Sequence, residues 1–96
     1  MDSTSPRERR SWSGVEAGKY EAALEAISAA MGAYSALIAH ENTKDTPDPR
    51  VVEQARRDRR ECVRRREALD PTDTEQVARV RAEFTRLTEE ARLAAR

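Results

Sequence analysis

Large apolar residues recur along the first half of the chain in alternating steps of four and three: Tyr20, Leu24, Ile27, Met31, Tyr34 and Ile38. That spacing aligns them on one stripe of an α-helix, and Ala23, Ala30 and Leu37 widen it. A second heptad-spaced row, Ala22, Ala26, Ala29, Ala33 and Ala36, lies on a different face and consists of alanine alone, while Glu21, Glu25, Ser28, Gly32 and Ser35 form a third, more polar strip. A helix apolar on two faces is normally covered on both. Alanine there would let another helix approach closely, although its helix propensity alone can place it on any face. The pattern predicts a first helix over about 14–41, on the order of 40 Å long at 1.5 Å per residue. Ser13 stands three positions before Glu16, the capping-box spacing, and Trp12 is placed to staple onto the first turn.

Turn formers over 42–48 end this segment. Thr46 or Asp48 can cap the next helix, with Pro47 or Pro49 tolerated in its first turn. The second helix is expected over about 47–69 with a weak stripe, Val51, Val52, Ala55, Cys62, Val63, Ala68 and Leu69, interrupted by Arg59 and Arg66. Arginine stems can cover apolar surface while their heads reach water, so this helix should be half exposed. Asp70-Pro71 breaks the ladder, and Asp70 or Thr72 can cap a third helix over about 72–95, where Val77, Val80, Phe84, Leu87, Ala91 and Ala94 keep the three-four alternation. The short joint makes helices two and three an antiparallel hairpin or a sharp corner, the hairpin being the expected form, with helix one packed across them. The expected fold is all-α: three helices in one domain, 11–96, completed by dimerisation, behind a polar N-terminal tail over 1–10 that is expected to be disordered.

Composition makes the core thin. The chain has 96 residues, 38% of them charged, and its aromatics are Trp12, Tyr20, Tyr34 and Phe84. A chain of this size buries roughly 60–65% of its unfolded surface, here with aliphatic and alanine side chains. Charge cancels overall but is uneven: −3 over 15–42, +4 over 50–69 and −1 over 70–96. The cations are nearly all arginine, with Lys19 and Lys44 the exceptions, so arginine is this chain's default cation and its abundance alone carries no argument. Cys62 is the single cysteine, no run approaches the apolar length of a membrane span, and no signal-peptide pattern opens the chain, which points to a cytoplasmic protein.

Candidate chemistry is sparse. A metal site needs three or four ligands, and one His and one Cys separated by a loop do not supply them. His40, in the last turn of helix one, suits the helix dipole, and Cys62 reads as a small core hydrophobe. A Ser-His-acid triad lacks its pocket, and Gly14, Gly18 and Gly32 are too scattered for a phosphate loop. No catalytic residue, metal or cofactor is expected. The remaining functional surface is the arginine run, with Arg56, Arg57, Arg60 and Arg64 as candidate phosphate contacts. Glu53, Asp58, Glu61 and Glu67 interleave with it at ion-pair spacing, as in Glu53 with Arg57 and Glu61 with Arg65.

A long first helix, an Asp-Pro element and two further helices in fewer than a hundred residues resemble the layout of the all-α chorismate mutases. The resemblance covers architecture and no motif: those enzymes hold a dicarboxylate with basic residues of the first helix, where this chain has only Lys19. Trp12-Ser13-Gly14 is similar to the Trp-x-Gly signature of small secreted helical hairpins, but there the motif lies between two helices and here it precedes the first. The leading expectation is a non-catalytic protein–protein interaction module that self-associates through helix one as a homodimer, using Ala22, Ala26, Ala29, Ala33, Ala36 and Tyr34. A larger protein partner would suit the same features. The alternative is a nucleic-acid-binding regulator using the arginine-rich second helix, with a chorismate-mutase-like enzyme third.

Overall fold

From Ala17 to Asn42 alanine predominates and no proline interrupts the chain, and one continuous helix, α1, forms over those residues. The structure, a computed structural model, describes the backbone of residues 12–96 and side chains from Gly14 onward. The tail expected over 1–10 and the stapling role of Trp12 lie outside the described residues and side chains. The chain enters α1 through a π-helical turn, Trp12–Glu16. Ser13 is therefore inside the helical winding, and Glu16, the residue before α1, makes no side-chain cap. This corrects the expected capping box: with winding already begun at Trp12, the backbone of Ser13 is itself helical and not the non-helical backbone a cap residue needs.

Helix α2, Pro49–Ala68, begins where its chemistry dictates. Asp48 is the cap, its carboxylate accepting from the Arg50 amide at 2.9 Å, and Pro49 occupies the first helical position, where a missing N–H costs nothing. Thr46 and Pro47 remain in the linker. Helix α3, Thr74–Ala94, is capped by Asp73, which accepts from the Gln76 amide at 3.0 Å. Asp70 and Thr72 are not caps. The Asp70 carboxylate instead accepts from the amide and hydroxyl of Thr72, and Gln76 Oε1 reaches back to the Asp70 amide, so Pro71 lies in a braced turn before the helix.

The architecture is the all-α arrangement of three helices, with no strand among the described residues. Side-chain pairs set the directions: Glu41 meets Asp48, Arg59 donates to Ser35, and Arg66 lies 3.9 Å from Met31 Sδ, so α2 runs antiparallel to α1. The tight turn over 69–73 reverses the chain again, and α3 lies parallel to α1 on its other flank. Both helices pack along α1 and barely touch each other. Arg59 and Arg66 reach α1 with their guanidinium heads, at Ser35 and Met31, whereas the sequence reading puts the heads in water, and α2 is half exposed.

Phe84, Ile27 and Cys62 are the largest fully buried side chains. Around them lie Ala23, Ala30, Ala33, Ala55 and Ala91, with Val77, Val80 and Leu69, so alanine supplies much of the core. It does so by letting helices come close, since the absence of a long side chain brings the backbones together. The helix winding from Gly14 to Asn42 is long and apolar enough to cross a membrane by length and composition, contrary to expectation, because its alanines and few charges keep the mean hydropathy high even where small polar residues interrupt the apolar run. Only 28% of its most apolar 18-residue stretch is buried.

One buried carboxylate ties the first two helices together. Glu41, 4% exposed, accepts from the Asp48 amide at 2.9 Å and pairs with Lys44 at 3.0 Å. The Asp48 amide first, and Lys44 second, hold its carboxyl below the ordinary 4.5. A folded value below the unfolded one means that this stabilisation is complete above about pH 4.5 and is lost as pH falls through the depressed value. Glu41→Gln should therefore reduce the fall in stability between about pH 7 and pH 3, read from urea midpoints at the two pH values; an unchanged fall would remove Glu41 from the acid response.

Candidate interaction surfaces

Helix α1 presents its large stripe inward. Ile27 is fully buried, Tyr34 is 7% exposed, and Tyr20, Leu24, Met31 and Ile38 are half-buried. The alanine row sits at the margin of the covered face and divides accordingly. Ala33 is buried, Ala22 and Ala26 are half-buried, and Ala29 and Ala36 are exposed. Two of the residues expected at an intermolecular interface, Ala33 and Tyr34, are thus already occupied by the chain's own helices. Periodicity shows that a row is apolar but not which neighbour covers it.

The exposed face is centred on the strip that looked more polar. Ser28, Ala29, Gly32, Ser35, Ala36 and Ala39 form a continuous outward surface, and a methyl group added at Gly32 would meet nothing within 4 Å. From Ala26 to Ala39 the helix carries no charged side chain, in a chain that is 38% charged. Glu21 and Glu25 flank this surface at its N-terminal end.

Arg56, Arg57, Arg60 and Arg64 are all exposed on α2. Glu53 lies 3.9 Å from Arg57 and 3.5 Å from Arg60, Arg57 also donates to Gln54, and Arg64 pairs with Glu61. Among the described residues Arg56 has no ion pair. Surface pairs of this kind are weak and exchangeable, so the strip is a partly neutralised basic face. Arg65, expected to pair with Glu61, turns instead toward α3 and grips Glu83 through two hydrogen bonds of 2.6 and 3.0 Å, its guanidinium 5.1 Å from the centre of the Phe84 ring. A bidentate pair is the geometry arginine prefers, and here it is the main direct link between α2 and α3.

Because α2 and α3 stand apart, a groove of about 300 Å³ opens between them above α1. Tyr34, Leu37, Phe84, Leu87, Ala91 and Ala94 contribute its apolar surface, and Asp58, Glu61, Glu83, Glu90 and Arg65 its charged groups. The sequence reading missed this groove, whose carboxylates come from two helices and share no motif. Burial, with Asp58 next, pushes the Tyr34 hydroxyl up to about 12, so it stays a neutral donor and acceptor. Among the described residues it has no hydrogen-bond partner. A wider hollow of about 810 Å³ lies along another side of α3, with Lys19, Ala78, Arg81, Ala82 and Arg86 among the described residues that line it.

Cys62 is a free, fully buried thiol, kept protonated by burial first and Asp58 second. His40 is half-buried in the last turn of α1. No group of three His, Cys, Asp or Glu among the described residues is arranged to hold a metal ion. The chain matches no protein-family model, no curated protein and no solved structure.

Proposed function

We propose that this protein is a non-catalytic helical interaction module that self-associates through the exposed face of α1. One observation carries the reading: the small-residue surface over Ser28, Ala29, Gly32, Ala36 and Ala39 is left open although both other helices already pack on α1 and Arg59 of α2 reaches its edge at Ser35. Solvated helix faces are normally charged or polar, and the chain has ample charge for the purpose. Small residues allow two helix backbones to approach closely and gain dispersion contact over several turns. In a two-fold dimer the surface meets itself, with no charged side chain of α1 from Ala26 to Ala39 and Arg59 of α2 at its edge.

At tens of micromolar, sedimentation velocity should show a dimer that falls to a monomer in the double variant Ala29→Glu with Ala36→Glu. Both positions are exposed, so helicity should be unchanged. Ala33 is not used for this test because it is buried within the chain. A wild-type monomer, or a dimer indifferent to the two glutamates, would remove the proposal.

A further inference from the structure

The groove between α2 and α3 lies away from the α1 surface just discussed and stands on separate observations. It occupies the place of a missing fourth helix: α2 and α3 both rest on α1 without closing on each other. Along α3 its apolar lining runs through Phe84, Leu87, Ala91 and Ala94, a three-four-three row about 15 Å long at 1.5 Å per residue. Carboxylates stand on both banks, Asp58 and Glu61 on α2, Glu83 and Glu90 on α3. Glu83 is committed to Arg65, while Glu61 and Glu90 hold the exposed Arg64 and Arg86 of their own helices, and Asp58 accepts from Gln54. The helix-spaced pairs are of the exchangeable kind.

Within the groove is a hydroxyl that no protein group among the described residues engages. Tyr34 is more than nine-tenths buried, its side chain lines the groove, and its hydroxyl has no partner among the described residues, with Asp58 and Glu90 among the charges that act on it. Buried hydroxyls are nearly always satisfied, and leaving one unmade is costly. A guanidinium or ammonium group entering here would donate to the Tyr34 oxygen and meet the two carboxylates together.

We propose that this groove receives a basic amphipathic helix of a partner protein, seating an apolar ridge on the part-exposed Leu37, Leu87 and Ala94 and an arginine or lysine at Tyr34. A second copy of the chain does not fit. Among the described residues the exposed large hydrophobics are Val15 and Leu93 alone, so the basic outer face of α2 has no apolar ridge to insert, and the open face of α1 is flanked by Glu21 and Glu25. A small organic cation would find the groove open along its length, whereas small-ligand sites enclose most of their ligand. A helix laid in a groove through i, i+3, i+4 anchors matches both the row on α3 and its charged banks.

The test uses a fluorescein-labelled helical peptide of about 18 residues with a leucine ridge and arginine flanks, and a second peptide with glutamate replacing arginine. To keep self-association out of the measurement, the receptor is the full chain carrying Ala29→Glu and Ala36→Glu, with helicity checked by circular dichroism. Anisotropy should show saturable binding of the arginine peptide, at least about tenfold tighter than the glutamate peptide. Tyr34→Phe, which leaves the core volume in place, and Ala94→Trp, which plugs the exposed end of the groove, should each weaken binding by about tenfold or more with helicity unchanged. No binding, equal binding of the two peptides, or binding that survives both variants overturns the proposal, as does displacement of the peptide by an equimolar polyamine.

Discussion

Phe84→Ala is expected to lower the free energy of unfolding by about 3–5 kcal/mol, the usual range for truncating a buried aromatic. Phe84 is 1% exposed and belongs to the core formed by all three helices. The Arg65 guanidinium lies over its ring, and the buried Thr88 hydroxyl donates to its carbonyl at 2.8 Å. Much of the surrounding core is alanine, whose side chains are too short to fill the vacancy without moving a helix backbone, so the cavity would stay largely open. A domain of this size has a total stability of about 5–15 kcal/mol, and an alanine-rich core belongs toward the lower end. The variant should therefore show a markedly lower urea midpoint and a poorly cooperative thermal transition. Phe84→Leu, which keeps most of the volume, should lose about 1–2 kcal/mol. A loss below about 1 kcal/mol for the alanine variant would show that the three helices are not held at this residue.

The second large effect is a contrast between neighbours in sequence. Ala30→Glu is expected to cost about 3–5 kcal/mol or to prevent folding, because Ala30 is fully buried in the helix contacts and a carboxylate there would have no partner. Ala29→Glu should leave the fold within about 0.5 kcal/mol of the parent, since Ala29 faces outward, and should act only on self-association. Circular dichroism and urea denaturation of the two single variants measure the difference. Equal destabilisation would mean that α1 is covered on both faces within one chain. Equal tolerance would mean that Ala30 is not held in a close helix contact.

Much of the fold was legible because it depends on local signals. The three-four spacing of Val77, Val80, Phe84 and Leu87, the Asp48-Pro49 start of α2 and the break after Leu69 each place an element through interactions within a few residues. The end-cap readings were less secure where several side chains could do the same task. Asp70, Thr72 and Asp73 all carry suitable oxygens, and the choice of Asp73 followed from Asp70 being engaged by Thr72. At Ser13 the spacing was right, but the winding had already begun at Trp12.

The candidate surfaces were legible only in part. The residue types of α1 showed that it has more apolar circumference than one flank can use, but the exposed sector fell on Ser28, Gly32 and Ser35 together with Ala29 and Ala36, not on the alanine row as a unit. That outcome depends on where α2 and α3 settle, and Ala33 differs from Ala36 only by a turn of helix at the edge of that cover. Arg65 has an acid at the right spacing on its own helix, yet pairs with Glu83 across the groove, where a half-buried site screens the pair less than open water does.

Helix number, helix type, the alanine-rich core and the inward stripe of α1 were written in the order of the residues, because backbone hydrogen bonding and side-chain periodicity act over one or two turns. Which sector of α1 stays open, which arginine crosses to α3, and the groove that brings Tyr34 between Asp58 and Glu90 were set by how far apart two helices come to rest on a third. Those distances result from packing summed over many side chains distant in sequence, and no local spacing encodes them.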